Sequence, residues 1–89
     1  MRFEWDSEKA AENVRKHRVS FDEAATAFFD PLSMTVSDPD HSAGERRFIT
    51  MGASSTGKLV VVAHTERGST IRIISARSAS ASERKRYET

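Results

Sequence analysis

The chain has no cysteine, so neither a disulfide framework nor a thiolate zinc site can hold it together. It also lacks any run approaching the roughly 20 apolar residues of a membrane-spanning helix. Its opening, Met1-Arg2-Phe3-Glu4-Trp5-Asp6, has none of the apolar core of a secretory leader. No membrane association is expected, and the cytoplasm is the expected compartment. Nor is one charge in large excess: 14 basic and 13 acidic residues leave a formal net charge of +1, which by itself points to no anionic partner. There is no internal repeat. With 89 residues, 37% of them hydrophobic and 30% charged, the chain can pack one core and not two, so a single domain over 1–89 is expected.

The charges are unevenly placed. Residues 58–89 carry seven basic side chains against three acidic ones, whereas residues 20–40 carry five acidic and no basic ones. The C-terminal third is therefore the anion-binding candidate.

Hydrophobic periodicity orders the elements. Phe3-Glu4-Trp5 alternates as a short edge strand. Asp6 or Ser7 can cap a helix reaching about Arg18, with Ala10, Ala11, Val14 and His17 as its inner stripe. Ser20-Phe21-Asp22-Glu23 is a capping box in which the Ser20 hydroxyl and the Glu23 carboxylate each satisfy the other's amide. The helix it opens carries Phe21, Ala24, Ala25 and Phe28 and stops at Asp30-Pro31. Leu32, Met34 and Val36 then alternate as a half-buried strand, and residues 38–44 form a polar loop. Strands follow at 46–51, 58–65 and 70–76, joined by turns too short for a parallel crossover. A second Ser-x-x-Glu box at Ser80 and Glu83 opens a basic helix over 79–88. The expected architecture is βααββββα: an α+β domain with two N-terminal helices packed on an antiparallel sheet of four main strands plus a short N-terminal strand, and a C-terminal helix.

Leu59-Val60-Val61-Val62-Ala63 is apolar on both faces and should be a central strand. Arg72 stands among the hydrophobic residues of the next strand and needs an anionic partner if buried, Glu4 or Glu66 being structural candidates. Hairpin register decides what it faces. A three-residue loop around Gly68 puts His64, Val62 and Arg72 on one face, with Leu59, Val61, Ala63, Ile71 and Ile73 on the core face. A two-residue loop at Arg67-Gly68 separates His64 from Arg72. The first arrangement sorts polar from apolar better, and on it His64, Arg72 and Arg77 converge beside the basic final helix.

Such a cluster could cradle phosphate, because arginine presents a charged fork to two phosphate oxygens and histidine moves protons near neutral pH. RNA supplies its own 2′-hydroxyl nucleophile, so cleavage needs only proton transfer and cations for the charge building on phosphorus. Lys16, His17, His64, Arg72, Arg77 and Tyr87 hold enough chemistry for that, though composition does not assign their roles. Each has a plainer reading: His17 as a packed or capping residue, His64 bonded to a loop carbonyl, and Tyr87 as the anchor of its helix. Asp38, Asp40 and His41 make only a weak metal pattern, so no metal or other cofactor is expected.

Several motifs together resemble the BrnT toxin family. They are Phe3-Glu4-Trp5-Asp6, the run from Asn13 to Ala24, Phe29-Asp30-Pro31, Asp38-Pro39-Asp40-His41-Ser42 and Glu45-Arg46-Arg47-Phe48. His64-Thr65-Glu66-Arg67-Gly68, the run from Ile71 to Arg77 and Glu83-Arg84-Lys85-Arg86-Tyr87-Glu88 continue the match. The resemblance implies a RelE-like fold and a metal-independent endoribonuclease that blocks translation. The implied partner is a BrnA-type ribbon-helix-helix antitoxin, which forms a hetero-oligomer with the toxin and alone contacts operator DNA. The site residues expected on this reading are Lys16, His64, Arg72, Arg77 and Tyr87 for catalysis, and Arg67, Arg84, Lys85 and Arg86 for holding RNA. An inactive homologue serving as a binding module or co-repressor is the alternative. A stand-alone DNA-binding protein is disfavoured, since no helix-turn-helix pattern is present. One departure from the family is Arg18, where a glycine usually follows the Lys16-His17 pair; a left-handed helix end there carries a backbone cost.

Overall fold

The computed structural model describes residues 1–41 and 44–88; Ser42 and Ala43 of the expected 38–44 loop lie outside the described residues. A five-stranded sheet carries three helices. In chain order the elements are β1 (Arg2–Glu4), α1 (Ser7–His17), α2 (Phe21–Thr26), β2 (Met34–Ser37), β3 (Arg47–Ala53), β4 (Leu59–Arg67), β5 (Thr70–Ser78) and α3 (Ala81–Glu88). A short 3-10 turn over Ala27–Phe29 extends α2, and a second covers Pro39–His41. The strand order is β1-β5-β4-β3-β2. Among the described residues no helix is long and apolar enough to cross a membrane.

The caps act largely as their residue types dictate. The Asp6 carboxylate accepts from the amides of Glu8 and Lys9 at 2.8 and 3.1 Å and starts α1. Ser20 Oγ accepts from the Glu23 amide at 3.0 Å. The return half of that box is missing, because the Glu23 carboxylate accepts instead from the hydroxyls of Ser54 and Thr56 at 2.8 and 2.6 Å, tying α2 to the β3–β4 turn. The second box is complete: Glu83 N donates to Ser80 Oγ, and Ser80 N to Glu83 Oε1. Arg18 ends α1 at φ 59° and ψ 28°, the left-handed conformation, with its amide donating to Val14 O.

The inner stripe of α1 differs from the periodic reading. Val14 and His17 are exposed, and the buried residue is Asn13. Its amide donates to Val19 O at 2.9 Å and Ala76 O at 2.8 Å, while its Oδ1 accepts from the Ala76 amide at 3.1 Å. A side chain that satisfies three buried backbone groups can occupy the core, although hydrophobic periodicity gives it no weight. Around it Val19, Phe21, Ala24, Ala27, Val60, Val62, Ile71, Ile73 and Ala76 form the core between the helices and one sheet face. Gly52 lets the turn after α2 approach that face: an added Cβ would sit 2.7 Å from the Ala27 carbonyl oxygen.

The sheet departs from the expected all-antiparallel pattern at its first strand. β1 lies on an edge, as its shortness suggested, but it runs parallel to β5, with Arg2 opposite Thr70 and Glu4 opposite Arg72. The two intervening helices and three strands provide the long connection that a parallel pair requires. The central placement of β4 is as read, with Leu59, Val60, Val61 and Val62 at most 6% exposed. β2 is exposed along its length rather than half-buried, because Met34 and Val36 pair with Met51 and Ile49 on the sheet face opposite the core.

Candidate functional site

The β4–β5 hairpin sets the geometry of the site. Arg67 pairs with Thr70, so its loop is the two residues Gly68 and Ser69, with Gly68 at φ 59°. Thr65 then faces Arg72 and His64 faces Ile73. Residues opposite one another share a face and neighbours along a strand do not. His64 and Arg72 are therefore on opposite sides of the sheet, against the three-residue-loop expectation. Val62, Ile71 and Ile73 share the helix-packed face with His64, while Val61, Ala63 and Arg72 face the other way.

A β-bulge brings Arg77 to the side of Arg72. The register shifts between Ala63 and His64, which pair with Ser75 and Ile73 and leave Ile74 as the extra residue. In a regular strand, positions five apart point to opposite faces. Beyond the bulge Arg77 pairs with Val61, four residues from Thr65 on β4, so Arg72, Ser75 and Arg77 share the open face.

His64 is sealed on the other side. It is fully buried, with Nε2 2.7 Å from Thr50 Oγ1, which in turn lies 2.7 Å from Thr35 Oγ1. Its ring meets Phe28 edge-on at 4.9 Å and stacks on Phe48 at 5.9 Å. Nδ1 is 3.6 Å from Glu66 and has no hydrogen-bond partner among the described residues. Burial lowers its pKa from 6.5 to about 4, which leaves a neutral imidazole at pH 7. The convergence of His64 with Arg72 and Arg77 is thus corrected: the two arginines share a face, and the histidine belongs to the packed side.

Both arginines are held by carboxylates. Arg72 donates to Glu4 at 2.9 Å, the structural partner considered from the sequence, and is about half exposed. Arg77 makes a two-pronged contact with Glu83 of α3 at 2.8 and 2.9 Å. That contact, with help from the Ser80 amide, lowers the Glu83 pKa to about 2.

Three adjoining cavities run across the α1 end of this face. One, of about 170 Å³, is lined by Lys9, Lys16 and His17, with Ile74 and Ser75. The next, of about 90 Å³, shares His17 and Ser75 with it and adds Arg77, Ala63, Val61 and Ile49. The third, of about 330 Å³, shares Ile49 and Val61, continues over Met34, Val36 and Met51, and is rimmed by Glu83 and Arg86 of α3. The result is a trough carrying Lys9, Lys16, Arg77 and Arg86 interspersed with Glu12, Asp38 and Glu83, and an apolar floor at one end.

Lys16 therefore reaches the trough, where it also lies 3.4 Å from Glu12. Arg84 and Lys85 are exposed on α3. Arg67 is at the far hairpin, paired with Glu45 at 2.5 Å. Tyr87 donates its hydroxyl to Asp30, whose carboxylate also accepts from the amides of Ala53 and Leu32. These amides and the tyrosine lower the Asp30 pKa, and Asp30 raises that of Tyr87. Tyr87 is thus engaged as the anchor of α3. Among the described residues no three His, Asp or Glu side chains cluster as metal ligands would. Nothing in the sequence marked Ser75 or Glu83 as site residues, and it offered His17 as a candidate for proton transfer without placing it in the expected site set; the structure brings all three to the trough.

A family profile described as the ribonuclease toxin BrnT of type II toxin-antitoxin systems matches residues 5–83. The chain belongs to the BrnT family. The 1.1 Å crystal structure of the Brucella abortus ribonuclease toxin BrnT has the same fold, with a TM-score of 0.70 over 90% of this chain and 97% of that one, at 23% identity. Curated proteins yield no match to the sequence. That family consists of ribonuclease toxins of type II toxin-antitoxin systems, which implies an antitoxin partner.

Proposed function

We propose that the chain is a single-domain, RelE-like toxin that cleaves RNA in the cytoplasm without a metal ion and thereby blocks translation. The observation that carries this reading is the trough on the open sheet face, where Arg77 and Lys16 line adjoining cavities and Arg72 shares the face. Permanent cations on a surface with a cleft suit a phosphodiester backbone, and Arg77 in particular offers a two-pronged grip to phosphate oxygens. Arg84, Lys85 and Arg86 extend the positive surface along α3 and add sequence-independent backbone contacts. His64 and Tyr87 serve the fold on this reading, the first inside the core and the second as a tether. The partner is a BrnA-type ribbon-helix-helix antitoxin that forms a hetero-oligomer with the toxin and contacts operator DNA itself.

Induction of the gene alone should arrest growth and shorten cellular RNA, with rescue by Arg77→Ala. Purified protein should cut an oligoribonucleotide in excess EDTA. Intact RNA during arrest would overturn the reading. One observation favours the alternative of an inactive binding module, namely that Arg72 and Arg77 are both already paired with carboxylates. That alternative expects harmless expression with antitoxin binding retained.

A further inference from the structure

We propose that His17 is the proton acceptor of the cleavage reaction, acting in the central cavity of the trough opposite Arg77. The inference rests on the ribonuclease reading above and adds the residue that moves the proton.

Metal-independent cleavage needs a group that can take a proton from the ribose 2′-hydroxyl close to neutral pH, which histidine does best among side chains. His64 is sealed behind Thr50, Phe28 and Phe48 on the wrong face. His17 ends α1 exposed to solvent and lines the same cavity as Arg77 and Ser75. That cavity, at about 90 Å³, is the smallest of the three and shares lining residues with both neighbours. It is also the middle of the three cavities, so RNA lying along the trough would place an internal phosphate there, with chain on both sides. Asn13, one turn before His17, bonds to both backbone groups of Ala76 beside Arg77. This locks the spacing of the two side chains through backbone, not through surface contacts.

In the reaction the neutral His17 imidazole accepts the 2′-hydroxyl proton as the 2′-oxygen bonds to phosphorus. The bond from phosphorus to the 5′-oxygen breaks, and that oxygen takes a proton from water. The hydroxide left behind recovers the proton from His17, so the products are a 2′,3′-cyclic phosphate and a 5′-hydroxyl with no net proton change. Arg77 neutralises the charge on the non-bridging oxygens once Glu83 yields to the phosphate. The charged groups sharing the cavities of His17 are Arg77 from β5 and Lys9, Glu12 and Lys16 from α1, with Glu83 of α3 on Arg77.

The test uses the full chain and a labelled oligoribonucleotide, with its 2′-deoxy form as an uncleavable binding probe. His17→Ala and His17→Gln should lower the cleavage rate about 10²–10⁴-fold and flatten the pH profile of the rate. Both should bind the 2′-deoxy probe within about threefold of the parent, whereas Arg77→Ala should weaken that binding. If Arg77→Ala impairs cleavage while both His17 variants keep the parental rate and pH profile, the His17 assignment is overturned and the ribonuclease reading stands. If the parent protein itself leaves the RNA intact, both fall.

Discussion

Replacing Asn13 by alanine removes three buried hydrogen bonds at once: from Nδ2 to Val19 O and Ala76 O, and from the Ala76 amide to Oδ1. Each such bond contributes about 1 kcal/mol net, and a buried polar group left without a partner costs about 1–3 kcal/mol. The carbonyls of Val19 and Ala76 and the Ala76 amide would lose these contacts together, so a loss of roughly 3–6 kcal/mol is expected. At about 0.05–0.15 kcal/mol per residue, a domain of this size has only about 4–13 kcal/mol to lose. With a urea dependence of about 1 kcal/mol per molar for a small domain, the unfolding midpoint should fall by about 3 M or more, followed by circular dichroism. Asn13→Asp separates hydrogen bonding from volume. A carboxylate can still accept from the Ala76 amide but faces two carbonyl oxygens without a proton to give. It should be at least as destabilised at pH 7 and should regain stability on acidification, when the acid can donate. A shift below about 1 kcal/mol for Asn13→Ala would refute the account of Asn13 as the link between α1 and β5.

Three further outcomes follow from groups around this core. Because burial lowers the His64 pKa from 6.5 to about 4, the unfolded chain binds the extra proton first. Stability should fall as pH drops below about 6.5 and level off near 4, by roughly 3 kcal/mol at most; His64→Gln should flatten that slope in thermal melts. Glu83, held near 2 by Arg77, contributes stability above its unfolded pKa of about 4.5 that is lost as pH falls toward 2. For a pair this exposed the contribution is below about 1 kcal/mol. Glu83→Gln should instead tighten RNA binding several-fold and steepen its salt dependence, measured by titration at several salt concentrations, because Arg77 then has no carboxylate to exchange for phosphate. Arg18→Gly should raise the urea midpoint by the equivalent of about 0.5–1 kcal/mol, since glycine adopts φ 59° without the penalty that arginine bears; a lower midpoint would mean that Arg18 makes contacts outweighing its backbone strain.

Much of the fold was legible because it depends on local chemistry. Asp6, Ser20 and Ser80 begin helices by offering an oxygen to orphan amides, Asp30-Pro31 ends one, and the doubly apolar run at Leu59–Val62 can only be central. The family, too, is written in ordered motifs and is matched over residues 5–83. The stripe of α1 was misread because a buried asparagine is paid for by backbone partners at Val19 and Ala76, the latter 63 residues away, and no periodicity reports such partners. The parallel pairing of β1 was likewise invisible, since it joins the two ends of the fold.

The sequence alone determined which residues carry charge and where helices and strands begin. It also placed Arg72 within the last expected strand, 70–76, and Arg77 just past its end, five positions on, a spacing that in one regular strand sends side chains to opposite faces. Only the tertiary structure decided otherwise. The bulge at Ile74 turns Arg77 to the side of Arg72, and the two-residue Gly68-Ser69 loop turns His64 away from both. Side-chain direction in a sheet changes sign with every residue, so one extra residue in a pairing register, a property of two strands together and of neither alone, determines which groups can meet a substrate.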